Sequence, residues 1–158
     1  MKPLVLLDVD GVINDLGALS GQVRSHRIDR IWSNGYTVHI PDYMPALIQR
    51  LVATAEVWWC TTWRDRANGE IAEHLGIDQL PVVDDGTVAR SVDWKSAAAR
   101  SLVTEALEAG RPVYWIEDFY GQPPVDELPP GVVFIDTAGS TDRPVLKPTH
   151  LPDGLRAA

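Results

Sequence analysis

Leu4-Val5-Leu6-Leu7-Asp8-Val9-Asp10-Gly11-Val12-Ile13-Asn14 begins as a continuous apolar run, then sets two carboxylates two positions apart and follows them with a glycine. A short apolar run that stops at a turn suits a strand covered on both faces, as in a parallel sheet, so residues 4–9 read as a buried strand. Along an extended strand, positions i and i+2 share a face, which brings Asp8 and Asp10 together at its end. Like charges held that close repel unless something positive sits between them. The stretch asks for a cation.

Downstream of an irregular stretch from Asn14 to His26, Asn34-Gly35 stands between runs rich in β-branched and aromatic residues. That pattern predicts a two-stranded hairpin over about 28–40. From Asp42, an expected N-cap, Met44, Leu47, Ile48, Leu51, Val52 and Ala55 recur at helical spacing and form one apolar stripe. A strand over 56–61 follows, with Trp58 and Trp59 as core aromatics. Next come a helix within 64–75, closed by Gly76, and a short strand over 81–83. Asp93 is expected to cap a helix over 94–108 with Trp94, Ala97, Ala98, Leu102 and Leu107 on its apolar face and Gly110 at its end. Strands over 112–116 and 131–135 are separated by a proline-rich loop over 119–130. After Asp136 the chain reads as loop with one short helix near Thr149. Alternating strands and helices predict an α/β fold: a Rossmann-like open parallel sheet with helices on both faces and a small β-hairpin flap after the first strand.

A chain of 158 residues has room for one domain with a substantial core, and a single domain over 1–158 is the expectation. With 45% hydrophobic and 23% charged residues the composition is that of a globular protein. No apolar run approaches the roughly 20 residues of a membrane-spanning helix. Met1-Lys2-Pro3 leads into the first strand with no signal-peptide pattern, so a cytoplasmic location and no membrane partner are expected. The single cysteine, Cys60, lies in an apolar run and is expected to pack as a small hydrophobe. A net charge of −8 disfavours bulk duplex binding, which depends on lysines and arginines neutralising phosphates. Arg24, His26, Arg27 and Arg30 nevertheless form a local basic cluster, read either as a contact for a nucleic-acid end or as a solvated loop. His39, His74 and His150 are scattered and suggest no role.

In an open parallel sheet, ligands bind at the carboxyl ends of the strands. Asp8 and Asp10 end the first strand, Thr61-Thr62 the strand over 56–61, and Glu117-Asp118 follow the strand over 112–116. Lys95 falls in the first turn of the preceding helix, where the helix dipole disfavours a cation and a functional reason for a lysine is therefore more persuasive. Each group has a use in phosphoryl transfer, because a carboxylate approaches an anionic phosphate monoester only when positive charge offsets the repulsion. Asp8 is the candidate nucleophile, forming an aspartyl-phosphate. Asp10 is the candidate acid and base for leaving alcohol and attacking water. Thr61, with Thr62 as the alternative, would donate to a phosphoryl oxygen, and Lys95 would stabilise the phosphoryl charge. Gly11 lets the backbone turn beneath the phosphate, and Trp63 and Arg64 read either as candidate substrate contacts beside it or as an aromatic packing on a loop. Asp8, Asp10, Asp118 and Glu117 offer hard oxygen ligands that suit Mg2+.

Asp8-Val9-Asp10-Gly11-Val12 after an apolar strand resembles the first motif of the haloacid dehalogenase-like (HAD) phosphohydrolases. Val57-Trp58-Trp59-Cys60-Thr61 resembles their second motif, Lys95 is placed like the third-motif lysine, and Tyr114-Trp115-Ile116-Glu117-Asp118 resembles the fourth. The likeness runs in the family's order from Pro3 to about Asp118, with Glu117 where an Asp is usual. Trp59-Cys60-Thr61-Thr62-Trp63-Arg64-Asp65 is similar to the HAD domains of predicted RNA-repair proteins. The resemblance implies a Mg2+-dependent phosphatase acting on phosphorylated small molecules or nucleic-acid ends. The gaps between motifs are too short for the family's large caps, so an open site is expected. A phosphotransferase with the same intermediate and a noncatalytic phosphate- or Mg2+-binding module are the alternatives. A receiver-type phosphoacceptor domain fits less well: Val83-Asp84-Asp85 imitates its acceptor, but the hydroxyl and lysine it needs do not follow in order.

Overall fold

The computed structural model describes residues 1–20, 26–84, 86, 94–139 and 144–156. Strand β1, Leu4–Leu7, is wholly buried at the centre of the molecule. It pairs in parallel with β4, Glu56–Trp59, on one side and β5, Val113–Glu117, on the other. Strand β6, Val132–Asp136, pairs in parallel with β5, giving a four-stranded sheet in the order β4-β1-β5-β6. Successive residues of β1 point to opposite faces and enter separate cores. Val5 and Leu7 pack with helix α1, Met44–Thr54, helix α2, Glu70–Leu75, and helix α4, Asp153–Arg156. Leu4 and Leu6 pack with helix α3, Trp94–Glu108. The expected open sheet with helices on both faces is present. Among the described residues no helix is long and apolar enough to cross a membrane.

The hairpin is also present, as β2, Ile28–Ser33, and β3, Tyr36–Pro41. Asn34 and Gly35 both have positive φ, 49° and 86°, the combination that a two-residue turn needs to match the twist of its strands. Val38 and Ile40 anchor the hairpin in the core, and Ser33 Oγ donates to Glu70 Oε2 of α2 at 2.9 Å. Trp32 and Tyr36 stay exposed.

Several elements depart from expectation. The first strand ends at Leu7, because the carbonyl of Val9 accepts from the N–H groups of Val12, Ile13 and Asn14 and so closes a tight turn. Asp42 does not cap α1: its N–H donates to Arg27 O at the hairpin base, and Tyr43 is the N-cap, with Pro45 in the first turn. The helix expected within 64–75 breaks at Gly69 into a 3-10 segment, Arg64–Asn68, and α2, which Gly76 closes as expected. Residues 81–83 form only a single parallel bridge between Val82 and Trp59; Pro81, lacking an N–H, cannot extend the ladder.

Helix α3 has the expected bounds but another inner face. Lys95, Ser96, Ala99, Val103 and Ala106 are buried, Ala97 is exposed, and Ala98, Leu102 and Leu107 are half-buried. A buried Lys95 turns that stripe inward, and hydropathy alone does not predict a lysine inside. The Asp93 cap, Arg24 and Asp85 lie outside the described residues. The Gly35→Ala variant is expected to lose about 1 kcal/mol in urea denaturation, because nothing lies within 4 Å of the added methyl and only the left-handed φ opposes it.

Candidate active site

The register that sets Leu7 level with both Trp59 and Ile116 brings the residues just beyond these strands to one edge of the sheet. Asp8 comes first: its N–H still donates to Ile116 O at 3.1 Å, and its own carboxylate Oδ1 accepts from Val9 N at 2.8 Å. The buried hydroxyl of Thr61 donates to the same carboxylate and accepts from Trp63 N at 3.3 Å, whereas Thr62 is exposed. Of the two threonines, Thr61 is the one beside Asp8.

Lys95 crosses from α3 to join β1 and β5. Its ammonium lies 3.2 Å from Asp8 Oδ2 and 2.8 Å from Glu117 Oε1, with all three side chains largely buried. The other Glu117 oxygen accepts from Trp115 Nε1 at 2.8 Å, two residues back on the same strand face. Carboxylate oxygens of Asp8, Glu117 and Asp118 lie within 4.8 Å of one another, a group able to hold a metal ion. The Asp10 carboxylate is not part of that group. It is held by Asn14 Nδ2 at 2.9 Å and Trp63 Nε1 at 3.0 Å.

One ammonium does not satisfy three carboxylates. Burial pushes Asp8 above the usual carboxylate range despite Lys95 and the hydrogen bonds from Thr61 and Val9. Burial and the neighbouring Asp8 do the same to Glu117. Burial, Asp8 and Glu117 push Asp118 up to about 7. Burial alone would lower Lys95, but Asp8 and Glu117 outweigh it and hold the ammonium above its ordinary range. The excess negative charge is what a bound cation would neutralise. The donor set is all oxygen, which fits a hard divalent ion.

Gly11 has φ 73°, and a Cβ there would overlap the Asp118 carboxylate, so only glycine lets the first loop come this close. Thr137 Oγ1 fixes that loop by donating to Gly11 O at 2.6 Å. Trp63 is buried rather than spread on a surface. Arg64, at φ 51°, pairs with Asp84 at 3.0 Å and lies over the Trp94 ring at 4.7 Å, tying the Thr61 loop to the start of α3. In the basic cluster, His26 faces Asp15 at 3.5 Å, Arg27 faces Asp29 at 3.7 Å, and Arg30 is exposed. Cys60 is buried and free, and burial pushes its thiol up.

Asn14, Trp115 and Thr137 were not singled out from the sequence. Trp115 carries a signal, the two-residue spacing to Glu117; Thr137 carries none, since its contact with Gly11 is made across loops, and Asn14 depends on a turn that brings it back to Asp10 and on a distant N–H of β3.

A divalent cation is expected to raise the melting temperature, and to raise it more at pH 8 than at pH 5.5. Asp118 titrates in the fold at about 7, above its ordinary 3.8, so below 7 its proton competes with the cation. Without the cation, the contribution of this carboxyl to stability falls as pH climbs from about 4 through about 7. Thermal denaturation with and without MgCl2 at both pH values checks this; an equal gain at both contradicts it.

No curated protein matches the chain. A family described as the HAD domain in Swiss Army Knife RNA repair proteins matches residues 4–140, a span that includes Asp8, Thr61, Lys95, Glu117 and Asp118. With these groups meeting at one sheet edge and the match running across all of them, the chain belongs to that HAD domain family.

Proposed function

We propose that the protein is a Mg2+-dependent phosphomonoesterase that works through an aspartyl-phosphate on Asp8 and acts on phosphate ends of nucleotides or nucleic acids. The observation that carries this reading is the Asp8 carboxylate, held at once by Lys95, Thr61 and the Val9 N–H at the carboxyl edge of the sheet.

In the first half-reaction an Asp8 oxygen attacks phosphorus, an Oδ–P bond forms and the ester P–O bond breaks. Asp10 gives its proton to the departing oxygen, so the alcohol leaves neutral and Asp10 becomes a carboxylate. In the second, Asp10 takes a proton from water as the water oxygen attacks phosphorus; Asp8 is released as a carboxylate and inorganic phosphate departs. Lys95, already 3.2 Å from Asp8, offsets charge on the phosphoryl group. Thr61 orients the nucleophile. Asp8 and Asp118 would hold Mg2+, with Glu117 positioned by Lys95 and Trp115; the ion, when bound, supplies charge neutralisation that lets two anions approach. The nucleic-acid part of the reading is supported by the RNA-repair proteins in which the family's domain occurs.

Asp8→Asn is expected to lower Mg2+-dependent phosphate release from an aryl phosphate by at least about 10³-fold while the circular dichroism spectrum is retained. Near-normal release from that variant contradicts the covalent mechanism. Oligoribonucleotides bearing a terminal phosphate are expected to be hydrolysed with a higher kcat/KM than sugar phosphates; the reverse order contradicts the assigned substrate class.

A further inference from the structure

Both oxygens of the Asp10 carboxylate are engaged by side chains that the hairpin secures. Asn14 Nδ2 donates to Oδ1 at 2.9 Å, while the Asn14 amide oxygen accepts from the His39 N–H of β3, also at 2.9 Å. An amide whose oxygen is committed to a backbone N–H has to present its NH2 to Asp10. Trp63 Nε1 donates to Oδ2 at 3.0 Å, and its ring makes a T-shaped contact with Tyr36, the first residue of β3, with centroids 5.9 Å apart. Asn14 and Trp63 are both buried, so water does not readily replace either contact.

This arrangement fixes the direction of the Asp10 carboxyl. Resting on the reading of Asp10 as the acid that protonates the leaving oxygen, we propose that Asn14 and Trp63 are positioning residues that clamp the Asp10 carboxyl group, and that the hairpin sets the clamp. Without it, the group is free to rotate about its terminal torsion, and the charge of the neighbouring Asp8 repels it. Two accepted hydrogen bonds still leave the carboxyl a lone pair on which to carry a proton. The hairpin thus acts on the proton donor through two separate contacts, one polar and one aromatic.

The test compares para-nitrophenyl phosphate, whose phenolate leaves without a proton, with ethyl phosphate, whose alkoxide does not. Asp10→Asn is expected to lower the ethyl-to-nitrophenyl ratio of kcat/KM by about 10²-fold. Trp63→Phe, which keeps a buried ring, is expected to lower that ratio by about tenfold, and Tyr36→Ala by about twofold in the same direction. Arg66→Ala, which removes the guanidinium 5.8 Å from the same indole ring, is expected to keep the wild-type ratio. A Trp63→Phe ratio equal to wild type, or an equal loss on both substrates, beside a collapsed Asp10→Asn ratio, overturns the clamp alone. An unchanged Asp10→Asn ratio removes the acid assignment and the clamp with it. A second readout needs no turnover: of the six tryptophans, the indole N–H resonance that vanishes in Trp63→Phe is expected to lie downfield and to move upfield in Asp10→Ala. A resonance that does not move overturns the clamp.

Discussion

Lys95 is buried between Asp8 Oδ2 at 3.2 Å and Glu117 Oε1 at 2.8 Å, and much of the molecule is arranged around that contact. It joins the first turn of α3 to the ends of β1 and β5, which no backbone ladder links to the helix. Removing one partner from such a group strands the remaining charges away from water, typically at about 3–5 kcal/mol, so the three elements hold one another in place. The same constraint turns the inner face of α3. With Lys95 directed at the strand ends, Ala99, Val103 and Ala106 follow it inward and Ala97 is left in solvent. The lysine also falls short of the charge it faces, since Asp8, Glu117 and Asp118 together outnumber it, and this imbalance makes the sheet edge able to hold a cation.

Around this group the loops are held by contacts of another kind. Gly11 lets the first loop lie against Asp118, and Thr137 ties that loop to the chain beyond β6. Arg64 draws the Thr61 loop toward α3 through Asp84 and the Trp94 ring. The hairpin reaches the site through Asn14 and Trp63, and is itself steadied on α2 by Ser33 and Glu70. Asp10 is therefore held by the hairpin side of the molecule and Asp8 by the α3 side. Two carboxylates two residues apart have different surroundings, which is the condition for giving them different chemical tasks.

The architecture was legible because a buried parallel strand reads as an unbroken apolar run and its end as an abrupt change to polar residues. Leu4 to Leu7 followed by Asp8, and Val113 to Ile116 followed by Glu117, both have that form. Asn34-Gly35 was legible because few residue pairs accept two positive φ angles in succession. Asp42 is not the cap because α1 starts one residue later than the pattern suggests, with Tyr43 at the N-cap, while the Asp42 N–H is fixed at the hairpin base by Arg27, a partner remote in sequence. Residues 81–83 looked like a strand by composition but lie where Pro81 cannot continue a ladder. Lys95 drew attention by its place in a first turn, yet the helix face it commands did not.

What the sequence determined by itself is the order of the apolar runs, the turns between them and the charged and hydroxyl groups just past the strand ends. These follow from local preferences and from the burial of parallel strands, both readable residue by residue. Only the tertiary structure decided that Asp118 lies against Gly11, that Glu117 is shared by Lys95 and Trp115, and that Asp10 is held by Asn14 and Trp63 rather than facing the other acids. The physical reason is range and direction. Hydrogen bonds and ion pairs act over about 3 Å and along fixed angles, so they form only after sheet register and loop approach have brought distant residues together.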